Sequence, residues 1–171
     1  VSAGDSFALG GLSVSVLHTP CHTTGHIGYV LKSSTSSDSS APLLFPGDTL
    51  FVGGCGRFFE GNAAQMLDNM RQFSQLPEET IVFPAHEYTT SNLKFLASVD
   101  GDAPALQQAL AECTHRRSQD PPEPTVPTTL AAEAKYNLFF KCDELRTQQL
   151  VGASTAEEAM ATLRARKNDF R

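Results

Sequence analysis

The stretch TPCHTTGH at residues 19–26 lies between two segments that are predicted to be β-strands. Before it, residues 12–16 read LSVSV, and this period-two alternation is typical of a half-buried strand. After it, residues 27–31 form a second short strand-like run. Because functional side chains of layered α/β proteins gather on loops at strand ends, this stretch predicts a functional loop in an α/β fold.

Further elements extend outward from this loop. The first helix is predicted to begin near Asn62, a favourable N-cap residue, and its apolar side chains share one face as far as Phe73. Additional strands are predicted at residues 7–9, 43–45 and 81–83, and helices at 90–98, 103–118, 128–134, 141–149 and 155–168. The pattern predicts a strand-rich region, 1–98, and an all-helical region, 99–171. The Ser-rich run at residues 33–40 predicts a surface loop.

Composition limits the class of protein. The chain has 171 residues, 40% of them hydrophobic, which is enough for an ordinary domain or for one domain with a small second one. The net charge of −6 argues against nucleic-acid and anionic-membrane partners. No window reaches the roughly 18 apolar residues that a membrane-spanning helix needs. Val1 is not an initiator Met, and the first residues resemble mid-domain sequence, so we expect a fragment or a processed chain.

Four cysteines, Cys21, Cys55, Cys113 and Cys142, are scattered without a metal-binding or disulfide pattern. They predict buried, reduced thiols in a cytoplasmic setting, with a mitochondrial location as the alternative.

Polar clusters stand where three predicted strands end: residues 19–26, Gly47-Asp48-Thr49 and His86-Glu87. Imidazole and carboxylate groups are the ligands expected for zinc, iron or manganese. His22, Asp48 and His86 are far apart in sequence, so only folding can bring them together. The alternative interpretation is that the histidines are structural loop residues and that Asp48 is a turn residue.

Five ordered strings carry a resemblance over nearly the whole chain: TPCHTTGH, FPGDTLFVGGCGRFFEG, PAHEYTTSNLKF, EPTVPTTLAAEAKYNLFF and LRARKNDF. Together they resemble glyoxalase II, the hydroxyacylglutathione hydrolase branch of the metallo-β-lactamase fold. The resemblance implies an α/β fold class. Residues 1–98 are expected to be the C-terminal part of a metallo-β-lactamase αβ/βα sandwich, and 99–171 a helical glutathione-substrate-binding domain.

The resemblance also implies a metal site. His22 is expected to bind one metal ion and His86 the other, with Asp48 bridging both as the catalytic carboxylate. Two divalent ions are expected, zinc foremost, with iron or manganese as alternatives. His26 is expected to be structural. The family's other ligands come from an HxHxDH motif that these 171 residues do not contain. The chain alone is therefore expected to have little or no activity, and the segment that carries the motif is a candidate partner.

A glutathione subsite is implied at Arg57, Phe59, Tyr88, Arg164 and Lys167. Arg164 and Lys167 are three residues apart on a predicted helix, so both point to one side and can engage a carboxylate. The alternative for this pair is a solvated basic face near a helix C-terminus. Arg57 stands where the family commonly has Lys and Phe59 where it often has Tyr, which predicts somewhat weaker affinity.

The implied reaction is hydrolysis of the thioester of S-D-lactoylglutathione to glutathione and D-lactate by a metal-bridging hydroxide. Two alternatives remain open from the sequence. One is a mono-iron persulfide dioxygenase of the same fold, and the other is a non-catalytic glutathione-binding fragment.

Overall fold

The computed structural model describes residues 1–35 and 40–170. Half of the predicted Ser-rich loop, residues 36–39, lies outside the described residues. Along the chain the elements are β1 Ser6–Leu9, β2 Leu12–His18, β3 Ile27–Ser33, β4 Leu43–Phe45, β5 Leu50–Phe51, β6 Gly54–Cys55, α1 Ala63–Ser74, β7 Ile81–Val82, α2 Thr89–Val99, α3 Pro104–Arg117, β8 Thr128–Thr129, α4 Leu130–Tyr136, α5 Leu145–Val151 and α6 Ala156–Asp169.

One sheet organises the first half of the chain, with strand order β1-β2-β3-β4-β7-β8. β3 is antiparallel to both β2 and β4, and β7 is parallel to β4, so β2, β4 and β7 run in the same direction. Their C-terminal ends therefore lie at one edge of the sheet, and the three polar clusters predicted from the sequence leave the sheet there. β5 and β6 form a separate two-stranded hairpin.

The two faces of the sheet differ in their packing. Val30, Leu44 and Val82 lie side by side on one face and are buried in the same core as Phe73 of α1. On the other face Phe45 is paired with Tyr29 and stacks on Phe83 with 5.2 Å between ring centroids. Phe45 is exposed, so this second face presents apolar side chains that no described element covers fully.

The first helix begins where the sequence predicts. The Asn62 side chain accepts a hydrogen bond from the Gln65 N–H, and the Gln65 side chain accepts one from the Asn62 N–H, which forms a capping box.

The four predicted buried cysteines are confirmed, since all are free and buried. No helix among the described residues is both long and apolar enough to cross a membrane.

The second half follows the predicted helices with two corrections. The prediction of an all-helical region after residue 98 is wrong at one point, because β8 adds a two-residue strand beside β7. The helix predicted at 141–149 starts later, at Leu145, because residues 138–144 form successive turns. Strand β8 was missed because a two-residue strand is too short to show a periodic pattern in the sequence. The domain boundary at residue 98 stays a prediction.

Candidate active site

His22, Asp48 and His86 converge at the shared strand edge. His86 Nε2 lies 3.2 Å from Asp48 Oδ1, and His22 Nε2 lies 3.9 Å from Asp48 Oδ2. The two imidazoles thus face different oxygens of one carboxylate. The alternative of unrelated loop and turn residues does not fit this placement, because the three loops leave the same sheet edge and meet at Asp48.

The orientation of His22 leaves one ring nitrogen available as a ligand. Its Nδ1 is 3.1 Å from the Arg57 carbonyl oxygen, which can only accept, so Nδ1 carries the proton and donates. Nε2 is then the unprotonated nitrogen of the neutral ring and faces Asp48. This arrangement, in which a backbone carbonyl fixes the tautomer of a histidine, is typical of metal ligands.

His26 supports the loop of Asp48 from behind. The Asp48 N–H donates to His26 Nε2 at 3.1 Å, so Nε2 accepts, and Nδ1 is 2.8 Å from Thr19 Oγ1. Burial lowers the pKa of His26, which favours the neutral ring that this pattern requires. The structure therefore places His26 as a support of the Asp48 backbone, in keeping with its expected structural role.

The donor set is chemically suited to divalent metal ions. Two ligands held about 2.0–2.2 Å from one ion at a tetrahedral angle lie about 3.4 Å apart, and the two imidazole–carboxylate distances of 3.2 and 3.9 Å are close to this value. Within the described ranges, no group of three or more His, Cys, Asp or Glu side chains is arranged to hold one ion. The residues instead form two nitrogen–oxygen pairs that share Asp48.

A cavity of about 540 Å³ opens from these three residues. Tyr88 stacks on the His86 ring with 5.0 Å between centroids, and the Phe59 ring lies 4.9 Å from that of His22. Both aromatic side chains are exposed along the cavity. The cavity is lined by His22, Asp48, Phe51, Cys55, Gly56, Arg57, Phe59, His86, Tyr88, Ser91, Asn92, Arg164, Lys167 and Phe170. All the site residues predicted from the sequence are therefore brought together.

Arg164 and Lys167 line the same cavity and form its cationic end. The Arg164 side chain is only 6% exposed, and its guanidinium donates to the Cys55 carbonyl at 2.7 Å and to Asn168 Oδ1 at 3.0 Å. Lys167 Nζ donates to the carbonyl and hydroxyl oxygens of Ser91 at 2.9 and 2.8 Å. The buried guanidinium excludes the interpretation of the pair as a solvated basic face.

The electrostatics of the cationic end reflect crowding of positive charge. Burial, together with repulsion from Arg164 and Arg57, lowers the pKa of Lys167 to about 8. Arg57 itself is exposed at the rim. The Cys55 thiol also lines the cavity, but burial raises its pKa to about 12 against the opposing effect of Arg164, so it stays protonated and is a poor nucleophile.

Several lining residues were not predicted from the sequence. Ser91 anchors Lys167, and Phe170 packs beneath it with 5.3 Å from Nζ to the ring centroid. At Gly56, an added Cβ would overlap the carbonyl oxygen of Asp48, so only glycine lets the two loops meet. The signal for Gly56 was present in the Gly-rich run at residues 53–61, but the sequence does not say which glycine makes the close approach.

Comparison with known proteins identifies relatives of both halves. Residues 1–86 match the family model described as metallo-beta-lactamase superfamily, and residues 87–170 match the one described as hydroxyacylglutathione hydrolase C-terminus. A hydroxyacylglutathione hydrolase of Thermosynechococcus vestitus is 43% identical over 170 residues, which cover 99% of this chain and 64% of that protein. A cytoplasmic hydroxyacylglutathione hydrolase of Arabidopsis thaliana is 39% identical, with 100% and 65% covered.

The chain thus spans slightly less than two thirds of the length of these curated relatives. A solved metallo-beta-lactamase of Staphylococcus aureus has a TM-score of 0.58 at 22% identity, covering 95% of this chain and 41% of that one. At that identity the likeness concerns the fold alone. With the two family models, it confirms the expected fold class, part of a metallo-β-lactamase sandwich followed by a helical domain.

Proposed function

Because this chain belongs to the hydroxyacylglutathione hydrolase branch of the metallo-β-lactamase superfamily, we propose that the protein containing it hydrolyses the thioester of S-D-lactoylglutathione to glutathione and D-lactate. The observation that carries the proposal is a single cavity with two chemically distinct ends. One end has a carboxylate between two imidazoles, and the other has a buried guanidinium beside a lysine.

The cationic end binds the glutathione part of the substrate. Arg164 and Lys167 are held by backbone carbonyls with their charges toward the cavity, so a carboxylate of glutathione can accept charge-assisted hydrogen bonds from both. Tyr88 and Phe59 offer aromatic surface along the cavity, and Arg57 adds a third positive charge at its rim. These contacts direct the thioester toward Asp48.

The other end would hold two divalent metal ions. His22 and Asp48 would supply ligands for one ion, and His86 and Asp48 for the other. Nitrogen and oxygen donors suit zinc first, and iron or manganese also. When bound, such ions supply a water that is deprotonated near neutral pH and positive charge that polarises the thioester carbonyl. Further ligands belong to the HxHxDH motif of the family, outside these 171 residues.

The chain's own residues orient the reaction. The backbone of Asp48 is held by its N–H to His26 Nε2, and the His22 ring is oriented by its Nδ1–H to the Arg57 carbonyl, which leaves Nε2 facing Asp48. Water gives up one proton to solvent as its oxygen bonds to the thioester carbonyl carbon. The C–S bond then breaks, the sulfur leaves as a thiolate, and the new carboxylic acid releases its proton to that thiolate or to solvent. A thiolate needs less protonation than an amine leaving group, so no dedicated general acid is required near the sulfur.

The two alternatives have weaker support. The helical half, which matches the hydroxyacylglutathione hydrolase C-terminus and carries Arg164 and Lys167, favours the hydrolase over a mono-iron dioxygenase. A binding module without metal chemistry gives no reason for two imidazoles to face one carboxylate. The cytoplasmic relative in Arabidopsis supports a cytoplasmic location.

The test uses the full-length protein. We expect metal analysis to find about two divalent ions per chain, and S-D-lactoylglutathione to release free thiol and D-lactate in equal amounts. The control is oxygen uptake with glutathione persulfide, which should be absent. One iron per chain with oxygen uptake would favour the dioxygenase. Glutathione binding without bound metal or turnover would favour the binding module.

A further inference from the structure

The hairpin of β5 and β6 connects the two ends of the cavity. Asp48 lies two residues before Leu50, the first residue of β5, and Arg57 lies two residues after Cys55, the last of β6. The hairpin turn at Val52 and Gly53 is buried, and Gly53 has a φ of +66°, which favours glycine. Any shift of this turn moves the Asp48 loop and the Arg57 loop together.

Side chains from the helical half satisfy the polar backbone groups of this turn. The Gly53 N–H donates to Glu133 Oε2 at 2.9 Å, and the Val52 carbonyl accepts from Asn92 Nδ2 at 3.0 Å. Asn137 Nδ2 reaches the Gly54 carbonyl at 3.3 Å. The hairpin is therefore fastened to α2 and α4 by side chains rather than by the main sheet.

Glu133 is the centre of this attachment. Its side chain is fully buried, and each carboxylate oxygen accepts two hydrogen bonds. Oε2 accepts from Gly53 N and from Asn137 Nδ2 at 2.8 Å, while Oε1 accepts from the Tyr136 hydroxyl at 2.9 Å and Thr128 Oγ1 at 3.0 Å. Within residues 1–35 and 40–170, no cationic side chain is among its partners. Burial raises the pKa of Glu133, and the four donors oppose that effect.

A carboxylate that is buried without a cation loses hydration free energy on folding, whereas an apolar side chain at the same helix position has no such desolvation penalty. What the carboxylate provides is two acceptor oxygens with fixed directions. Gly53 N and Asn137 Nδ2 can only donate, so the hairpin turn needs an acceptor at this point. The hydroxyls of Tyr136 and Thr128 can donate or accept, so the other oxygen is replaceable.

We propose that Glu133 is a positioning residue, which fixes the β5–β6 turn through Gly53 and thereby sets the position of Asp48 relative to the cationic end of the cavity. The proposal rests on the proposed function for its kinetic consequences. Its structural part, the anchoring of the turn, stands on the hydrogen bonds alone. Arg164 and Lys167 are carried by α6, but Arg164 donates to the Cys55 carbonyl of β6 and Arg57 follows the hairpin. The loss of the anchor is therefore expected to lower turnover most and to weaken glutathione binding to a smaller degree.

The experiment compares four variants of the full-length protein. Glu133→Met removes both acceptors at similar volume, while Glu133→Asp keeps the charge but withdraws it by one methylene. Glu133→Gln is the conservative rescue, because its amide oxygen can accept from Gly53 and its NH₂ can donate to the Tyr136 and Thr128 hydroxyls. Tyr136→Phe is the matched control, because it removes a donor from the same carboxylate on the side away from the hairpin.

Three quantities are measured for each folded variant: kcat with S-D-lactoylglutathione, the Kd of S-methylglutathione, and the hydrogen exchange of residues 50–56. Glu133→Met and Glu133→Asp should lower kcat by about tenfold or more, change Kd by less than about threefold, and speed exchange at Gly53. Glu133→Gln and Tyr136→Phe should keep kcat within about threefold and keep Gly53 protected.

Wild-type kcat and Gly53 protection in folded Glu133→Met would overturn the proposal. If Glu133→Met does not fold, the same result in Glu133→Asp overturns it. A fall in kcat that follows the loss of stability equally in all four variants would show a purely structural role and also overturn it. If the wild-type protein does not cleave the thioester, the proposed function fails, and the exchange at Gly53 still decides whether Glu133 anchors the turn.

Discussion

The metal end of the cavity is carried by three loops, whereas the cationic end is carried mainly by one helix, α6. The side chains of His22, Asp48 and His86 are 23%, 28% and 49% exposed, and they face one another across Asp48. Arg164 is almost fully buried and bonded to a backbone carbonyl. The cationic end is therefore preorganised by the chain, while the metal end places ligand atoms that only a cation can draw together. Metal binding and glutathione binding should consequently be separable by mutation.

The largest effect is expected at Asp48, the residue that both metal ions would share. Asp48→Ala in the full-length protein should remove most bound metal and lower kcat/KM at least about a thousandfold, because the loss of metal ions removes several kcal/mol of transition-state stabilisation. The measurements are metal content per chain and thioester hydrolysis. The Kd of S-methylglutathione should change by less than about threefold, since α6 is untouched. A large loss of glutathione affinity would break the separation of the two ends.

The reverse experiment removes the cationic end. Arg164→Ala combined with Lys167→Ala should weaken S-methylglutathione binding about a hundredfold, because two charge-assisted hydrogen bonds are lost at about 1.5 kcal/mol each. Metal content should stay at the wild-type value. Arg166→Ala is the matched control, since Arg166 lies on the same helix and bonds the Val151 carbonyl, 3.1 Å away, outside the cavity. Unchanged glutathione binding in the double variant would overturn the assignment of this subsite.

A smaller effect is expected from pH. The depressed pKa of Lys167, about 8, means that the side chain is charged below pH 8 and loses its charge as the pH rises through 8. Affinity for S-methylglutathione should fall by up to about tenfold between pH 7 and pH 9. Lys167→Arg should flatten this profile, because arginine stays protonated. The difference between the two profiles separates Lys167 from the ligand's own titration, and identical profiles would contradict the prediction.

The smallest effect concerns Phe59, which is 66% exposed beside His22. Phe59→Tyr adds a hydroxyl at the junction of the two ends, and one new hydrogen bond to glutathione should tighten Kd by about two- to tenfold. Calorimetric titration with S-methylglutathione measures the change. An unchanged Kd would mean that this hydroxyl faces only water and that Phe59 contributes surface alone.

Sequence reasoning succeeded where a pattern is long or a side chain is chemically distinctive. Alternation predicted β2, and the N-cap Asn62 with its apolar stripe predicted α1. The sequence showed three polar clusters at predicted strand ends, and the resemblance supplied the expectation that His22, Asp48 and His86 form one site. The patterns of β2 and α1 are local, and the positions of the polar clusters depend only on strand direction. Both can therefore be identified from the sequence.

The parts that were missed depend on contacts between distant residues. β5, β6 and β8 are two residues each and carry no period. Glu133 was not singled out from the sequence, although its spacing from Leu130 and Asn137 places it on the buried face of α4. No local pattern reveals that the Gly53 N–H donates to the Glu133 carboxylate instead of to a backbone carbonyl. Ser91 is likewise defined by Lys167, 76 residues away.

The contact between Gly56 and the Asp48 carbonyl has a consequence for how this molecule tolerates change. A side chain at residue 56 has no room, because the first carbon would occupy the space of a backbone atom, and no rotamer relieves that overlap. A Cβ added to Gly25 would meet nothing, since no heavy atom outside its chain neighbours lies within 4 Å of it. In a randomised library selected for folded protein, residue 25 should accept many amino acids and residue 56 almost none. The residue of this site that tolerates the least change is therefore a glycine, which has no functional group and is required only because of the space around it.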